Sequence, residues 1–363
     1  MLDMIKNMNR KTLMIFGGLL GLVVIILIVA LIMFIFGGED GYTRLKKSMI
    51  AGAEEYINDN EPPELGEQMR VTLDMLITGE YVREVTKYVD DNCTGHVVIM
   101  NNNGLLNFLP FLSCDDYKTE TLANRIINDN LIENPESEYE SGLYYIDGQL
   151  FFRGEKTNNY LHFGNVIWRI VRIDANGDIR LVKETPAEET WWWDAKFNYE
   201  RGRAVGINDF RYSDLLAGLV ASYEDFQEVN RRRIIPHDVC IGRVDSIEAA
   251  VDLERDCSEL LLDQYISVLS VSEIPMASLD PKCTTLRSGN CANFNYFFGG
   301  GLTTTWTSTA LSTNTFSVIR ATAGDSFATN ASSRNRFHWV LHISGLETFV
   351  SGTGTLNDPY IIE

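Results

Sequence analysis

The sequence lacks an excess of positive charge: 31 Lys and Arg stand against 50 Asp and Glu, for a formal net charge of −19. Such a chain is repelled by polyanions, which argues against nucleic acid or an anionic membrane surface as its main partner. The usual chemical signatures are also missing. No Gly-x-Ser-x-Gly, phosphate-binding loop, His-Glu-x-x-His or dinucleotide fingerprint occurs, so the sequence assigns no catalytic residue, no cofactor and no metal. The 6 cysteines are too few for a disulfide-dense scaffold and suffice for two or three bridges.

What is present begins with an uncharged apolar run from Leu13 to Phe36. At about 1.5 Å per residue a helix of that length covers a hydrocarbon core of about 30 Å. A cleavable signal peptide has a shorter apolar region and a small-residue cleavage site, and neither fits here. The run therefore predicts a retained transmembrane helix that contacts the lipid bilayer. Lys6, Arg10 and Lys11 precede it closely, whereas Glu39 and Asp40 come before Arg44, Lys46 and Lys47 on the other side. The basic counts are equal on the two sides, and the closer approach of the first three, together with the disulfide argued below, predicts a cytoplasmic N-terminus and an extracellular remainder. Gly17 and Gly21 form a Gly-x-x-x-Gly pair, which would let two such helices pack as a homo-oligomer, although glycine is common in membrane helices in any case.

An Asn-Gly pair at Asn103-Gly104 suits a two-residue hairpin turn, because both central residues must take positive φ. Counting outward from it puts Asn101 opposite Leu106, Val97 opposite Pro110 and Cys93 opposite Cys114. The cysteine pair falls on a non-hydrogen-bonded site, where Cα atoms lie about 4.5 Å apart, within reach of a disulfide. Pro110 is tolerated there if its strand lies at an edge. A disulfide in turn implies an oxidising compartment.

Tyr42, Leu45, Met49, Ala53 and Tyr56-Ile57 recur at helical spacing up to about Asn60, and Thr72 caps a short helix from Leu73 to Thr78. The predicted organisation is a tail (1–12), a transmembrane helix (13–36), a membrane-proximal α+β unit (39–130), an acidic linker (131–142) and a β-rich extracellular domain (143–363). Asp147-Gly148 and Asn176-Gly177 mark two hairpins in that last domain. Ser213 caps a helix carrying Leu215, Leu216, Leu219, Val220 and Tyr223 on one face. The fold class expected is α+β.

Several residues are of types that can carry chemistry. Asp174-Ala-Asn-Gly-Asp178 has the spacing of the start of a calcium loop without its distal Glu, and a turn explains it fully. His237 lies three residues before Cys240, and His338 and His342 stand four apart, but neither a thiol dyad nor a zinc set is completed. Cys240, Cys257, Cys283 and Cys291 are better read as two further bridges, for which three connectivities exist. Trp191, Trp192 and Trp193 in succession cannot share one face of a strand, so at least one is expected to be exposed or loop-covered. With Trp306 they are the candidate aromatic platforms for a sugar face or a protein partner.

The strips Asn158 to Ile173, Val239 to Gly242, Leu269 to Ile274, Ala277 to Cys283 and the tail Ser351 to Ile362 resemble an uncharacterised family of membrane-anchored surface proteins from Gram-positive, often gut-dwelling bacteria. The resemblance implies location more than activity. The membrane-proximal part is similar in layout to type IV pilins and pseudopilins, with an apolar helix, an amphipathic continuation and a disulfide-closed sheet. It departs from them in having no prepilin-type cleavage site and in the Gly37-Gly38 interruption. The function expected is a cell-surface binding or adhesion protein that recognises carbohydrate or a protein partner. The alternatives are a structural subunit of a pilus-like or secretion assembly and, behind it, an envelope enzyme, which would need paired carboxylates.

Overall fold

The computed structural model describes residues 40–102, 104–195, 208–249, 251, 256–299, 304–312, 317–322 and 325–363. The run Leu13 to Phe36, with Gly17 and Gly21, lies outside them. Among the described residues no helix is long and apolar enough to cross a membrane. The architecture is α+β, with sheet dominating.

Helix α1 (Gly41–Asp59) starts where the Asp40 carboxylate accepts the Thr43 N–H, satisfying a donor that the first turn leaves open. It lays Leu45, Met49 and Ala53 on a small sheet of β1 (Gln68–Thr72), β2 (Cys93–Asn102) and β3 (Leu105–Cys114). Helix α2 (Leu73–Thr78), capped by Thr72, adds Leu73 and Leu76 to the same core. The β2–β3 register pairs Cys93 with Cys114, Val97 with Pro110 and Asn101 with Leu106, as the count from the turn requires. Gly104 has φ 77°, and the Cys93–Cys114 bridge closes the open end with its Cα atoms 4.1 Å apart. Strand β3 is an edge of this sheet, which is where its proline belongs.

Helix α3 (Leu122–Asn130) places Leu122 and Ile126 in the larger core. The segment after it is likewise held to that unit, with Ile132 N–H donating to the Leu143 carbonyl at 2.9 Å. The two cores are also joined by polar contacts. Lys46 Nζ lies 2.7 Å from Glu363 Oε2, and Asn107 Nδ2 donates to the buried Glu347 Oε1 at 3.1 Å.

The larger unit is built on a nine-stranded sheet. Its N-terminal strands are β4 (Gly142–Ile146), β5 (Gln149–Arg153), β6 (Tyr160–Phe163), β7 (Val166–Ile173) and β8 (Ile179–Lys183). The hairpins at Asp147-Gly148 and Asn176-Gly177 form as the sequence suggests, with Asp147, Gly148 and Gly177 at positive φ. Strand β9 (Trp191–Trp192) leaves this sheet and pairs elsewhere. Helix α4 (Asp214–Glu224), capped by Ser213, buries Leu215, Leu216, Leu219 and Tyr223, while Val220 turns outward and is 45 % exposed.

Strand β10 (Ile234–Ile235) returns to the sheet edge, and β11 (His237–Cys240) follows at once. Strands β12 (Arg243–Val244), β14 (Thr305–Leu311), β15 (Ser317–Thr322) and β16 (Asp325–Asn330) make a separate four-stranded sheet, and β13 (Leu260–Gln264) pairs with β11. Strand β17 (Arg334–Asn335) is the partner of β9. Strand β18 (Val340–Ile343) inserts between β10 and β8; β20 (Tyr360–Ile362) lies between β6 and β19 (Phe349–Ser351). The core of this unit packs Phe152, Trp168, Ile170, Leu181, Leu341 and Trp306 together with α4.

Candidate functional site

The β7–β8 turn, β11 and β18 meet around a cleft of about 500 Å³ lined by Gln149, Arg172, Asp174, Asp178, His237, Asp238 and His342, with the Cys240–Cys257 disulfide in its wall. Asp174 N–H donates to the Asp178 carbonyl at 2.8 Å, and Gly177 N–H donates to the Asp174 carbonyl. The calcium-like spacing is thus the frame of a tight turn. Its two carboxylates diverge in role. Asp174 binds Arg172 Nε through one oxygen and His342 Nε2, 3.0 Å away, through the other. Asp178 accepts from the neutral side chain of Asn176.

Register explains why these groups converge. Strand β18 pairs with β8 so that His342 lies opposite Arg180, and with β10 so that it lies opposite Ile235, two residues before His237. The imidazoles of His237 and His342 lie with centroids 4.1 Å apart and their planes tilted by 34°. Behind them Glu273 ties Arg172 Nη1 at 2.7 Å and Arg180 Nη2 at 2.8 Å, and accepts the Ser270 N–H. His237 Nε2 sits 3.1 Å from Ser267 Oγ.

The electrostatics follow from that packing. Burial penalises the charged form of both imidazoles: His237 is held well below the usual histidine value and His342 is lowered to about 4. Burial opposes ionisation of Asp174 and Glu273 too, but the neighbouring guanidiniums outweigh it, and both carboxyls lie below their ordinary range. Asp178 has no such cation. Burial, reinforced by the Asp174 charge, raises it to about 6.

The tryptophans expected as platforms are not assembled into one. Trp193 and Trp306 are 0 % exposed; their indole N–H groups donate to the Thr307 and Trp191 carbonyls at 2.9 and 2.8 Å. Buried rings with satisfied donors hold the core together and cannot stack on a ligand. Trp191 is half-buried, wedged against Phe337 and Gly218, where a β-carbon would meet its ring. Trp192 alone of the four faces out, 42 % exposed, with Arg334 Cζ 4.5 Å from its ring centroid. Strand alternation accounts for the split between Trp192 and its neighbours.

The cysteines pair as Cys93–Cys114, Cys240–Cys257 and Cys283–Cys291. Cys240 is therefore no nucleophile for His237. His338 and His342 do not act together either, since His338 Nδ1 bonds the Lys183 carbonyl at 2.8 Å. Among the described residues, the one group of three side chains close enough for a metal is Asp91 with Cys93 and Cys114, whose sulfurs are joined to each other. Sequence reasoning missed the Arg172, Arg180 and Glu273 network. Its signal was the arginines, Arg169, Arg172 and Arg180, set among the apolar residues of the Asn176-Gly177 hairpin. Compared with family models, curated proteins and solved structures, the chain matches none.

Proposed function

We propose that this chain is a binding protein of the bacterial cell surface, anchored by residues 13–36 with its amino terminus in the cytoplasm, and that the cleft between the β7–β8 turn, β11 and β18 takes its ligand. The observation that carries this reading is a polar concavity with buried hydrogen-bonding atoms left unmet, mounted on a sheet and braced by a disulfide. Three disulfides support an oxidising location, in line with the apolar run and the charge pattern around it. The cleft replaces the tryptophan surface as the ligand site, because two of those rings are sealed in the core.

The test is binding of the full chain, in detergent micelles, to envelope polymers and a glycan panel. Binding that Asp238→Ala abolishes and Trp192→Ala leaves intact is the expected result. Failure of the unaltered protein to bind any panel member would overturn the reading and favour a structural subunit. For topology, protease added to intact cells should digest residues 41–363 and spare 1–12; the opposite pattern would reverse the assigned orientation.

A further inference from the structure

The two edges of the small sheet are finished differently. On the β3 side Pro110 brings no N–H, Thr119 N–H donates to the Leu112 carbonyl at 3.0 Å and Cys114 N–H donates to the Tyr117 carbonyl at 2.7 Å, so that edge is blunted and covered. The β1 side has neither device. Asn101 N–H donates to the Glu67 carbonyl at 3.0 Å, and continuing that ladder joins Met69 to Ile99 and Val71 to Val97 by hydrogen bonds. Gln68 and Arg70 therefore aim their N–H and carbonyl groups away from β2, where they have no partner among the described residues.

A groove of about 460 Å³ follows this edge. Its lining includes Gln68, Met69 and Arg70 in succession, which a strand with alternating side chains offers only along its rim; His96, Phe111 and Leu346 contribute to it as well. The charge there runs against that of the chain. Arg70 Nη2 lies 2.8 Å from His96 Nδ1, and Arg70 has no carboxylate in ion-pair contact among the described residues. A guanidinium only donates, so His96 Nδ1 accepts, the ring proton sits on Nε2, and that donor has no partner among the described residues. The imidazole lies against Phe111, with centroids 5.0 Å apart and planes 23° apart, which fixes its orientation. Burial and the Arg70 charge hold it below the usual histidine value, so the ring stays neutral. The edge thus offers unpaired backbone, one unmatched cation and an apolar wall.

We propose that β1 takes up an extended acidic peptide of a partner protein as a fourth strand, with a carboxylate against Arg70 and an apolar side chain two residues from it in the groove beside Phe111 and Leu346. The backbone of such a strand meets the open groups of Gln68 and Arg70, and its alternate side chains fall on the groove side; edge addition gains affinity from the first and selectivity from the second. A second copy of this chain fits poorly. Antiparallel pairing of two β1 strands about their centre sets Arg70 against Arg70, between chains that each carry a net charge of −19. The site is separate from the cleft, and neither reading depends on the other.

The experiment titrates the full chain, in detergent micelles at about neutral pH, with the capped peptide acetyl-Val-Thr-Glu-Thr-Val-amide and with its counterparts carrying Gln or Lys at the centre. The Glu peptide is expected to bind at least about tenfold more tightly than the Gln peptide, the equivalent of one charge-assisted hydrogen bond, and to slow amide hydrogen exchange at Gln68 and Arg70. Gln68→Pro removes an outward N–H without touching the ladder, so it should weaken binding by about tenfold and leave the thermal transition in place. Arg70→Glu should transfer the preference to the Lys peptide. No binding by any of the three peptides, equal binding of all three, or binding without exchange protection along β1 overturns the proposal.

Discussion

Glu273 is the keystone of the charge network behind the cleft, and replacing it with Gln tests whether that network is as dry as its geometry implies. The side chain is 2 % exposed and joins Arg172, Arg180 and the Ser270 N–H. Glutamine keeps the shape, so no cavity forms. What disappears is the negative charge that offsets two guanidiniums, one of which, Arg180, pairs with no other carboxylate among the described residues. Removing one member of a buried ion pair costs about 3–5 kcal/mol, because the remaining charge is stranded. For a unit of this size each kcal/mol moves the midpoint by roughly 2–4 °C, so a fall on the order of 10 °C is expected. Thermal unfolding of the full chain, followed by circular dichroism and repeated in urea, reads it. A loss below about 1 kcal/mol would refute the reasoning, since that is the cost expected of a pair still reached by water.

Other outcomes follow from the same structure. Stability should fall between pH 6.5 and about 4: the unfolded state takes up a proton at His237, His338 and His342 before the folded state can, and for His342 alone the gap corresponds to about 3 kcal/mol. Asp178, with its carboxyl raised, works in the opposite sense between its ordinary value and about 6, so His342→Gln should flatten the profile and Asp178→Asn should steepen it. Unfolding in denaturant buffers across that range checks both. Replacing Cys93 and Cys114 by Ser releases a loop with a sequence separation of 21 and should cost about 3 kcal/mol, measured as a shift in urea midpoint. Trp193→Ala should cost about 3–5 kcal/mol, whereas Trp192→Ala should stay within about 0.5 kcal/mol; comparable losses at the two positions would contradict their burial.

The local devices were legible in the sequence. Asn103-Gly104 set a register that carried through ten paired positions to the disulfide, Asp147-Gly148 and Asn176-Gly177 set two more hairpins, and Thr72 and Ser213 capped the helices they preceded. These succeed because a turn or a cap is decided by the residues within it. The cleft was not legible, since it depends on β18 lying between β8 and β10. No local pattern announces that His237 and His342 will meet, or that Leu122 and Ile126 will leave their sequence neighbours for the larger core. The tryptophan triplet misled for a related reason: composition marks a ring as valuable burial, and only the long-range packing decides which rings are spent on the core.

The placement of β18 and β20 has a consequence for how the chain must be made. Strands β6 and β8 are synthesised early, yet each waits for a partner near the end of the sequence before its second edge is covered. The hairpin of β2 and β3 can zip at once, because its contacts are local. The larger sheet stays half-built, with two open hydrogen-bonding edges, until residues 340–362 arrive. During synthesis that interval is the chain's period of greatest exposure to mispairing, and holding an emerging β6 or β8 edge apart from its neighbours is the task left to whatever handles the protein as it folds.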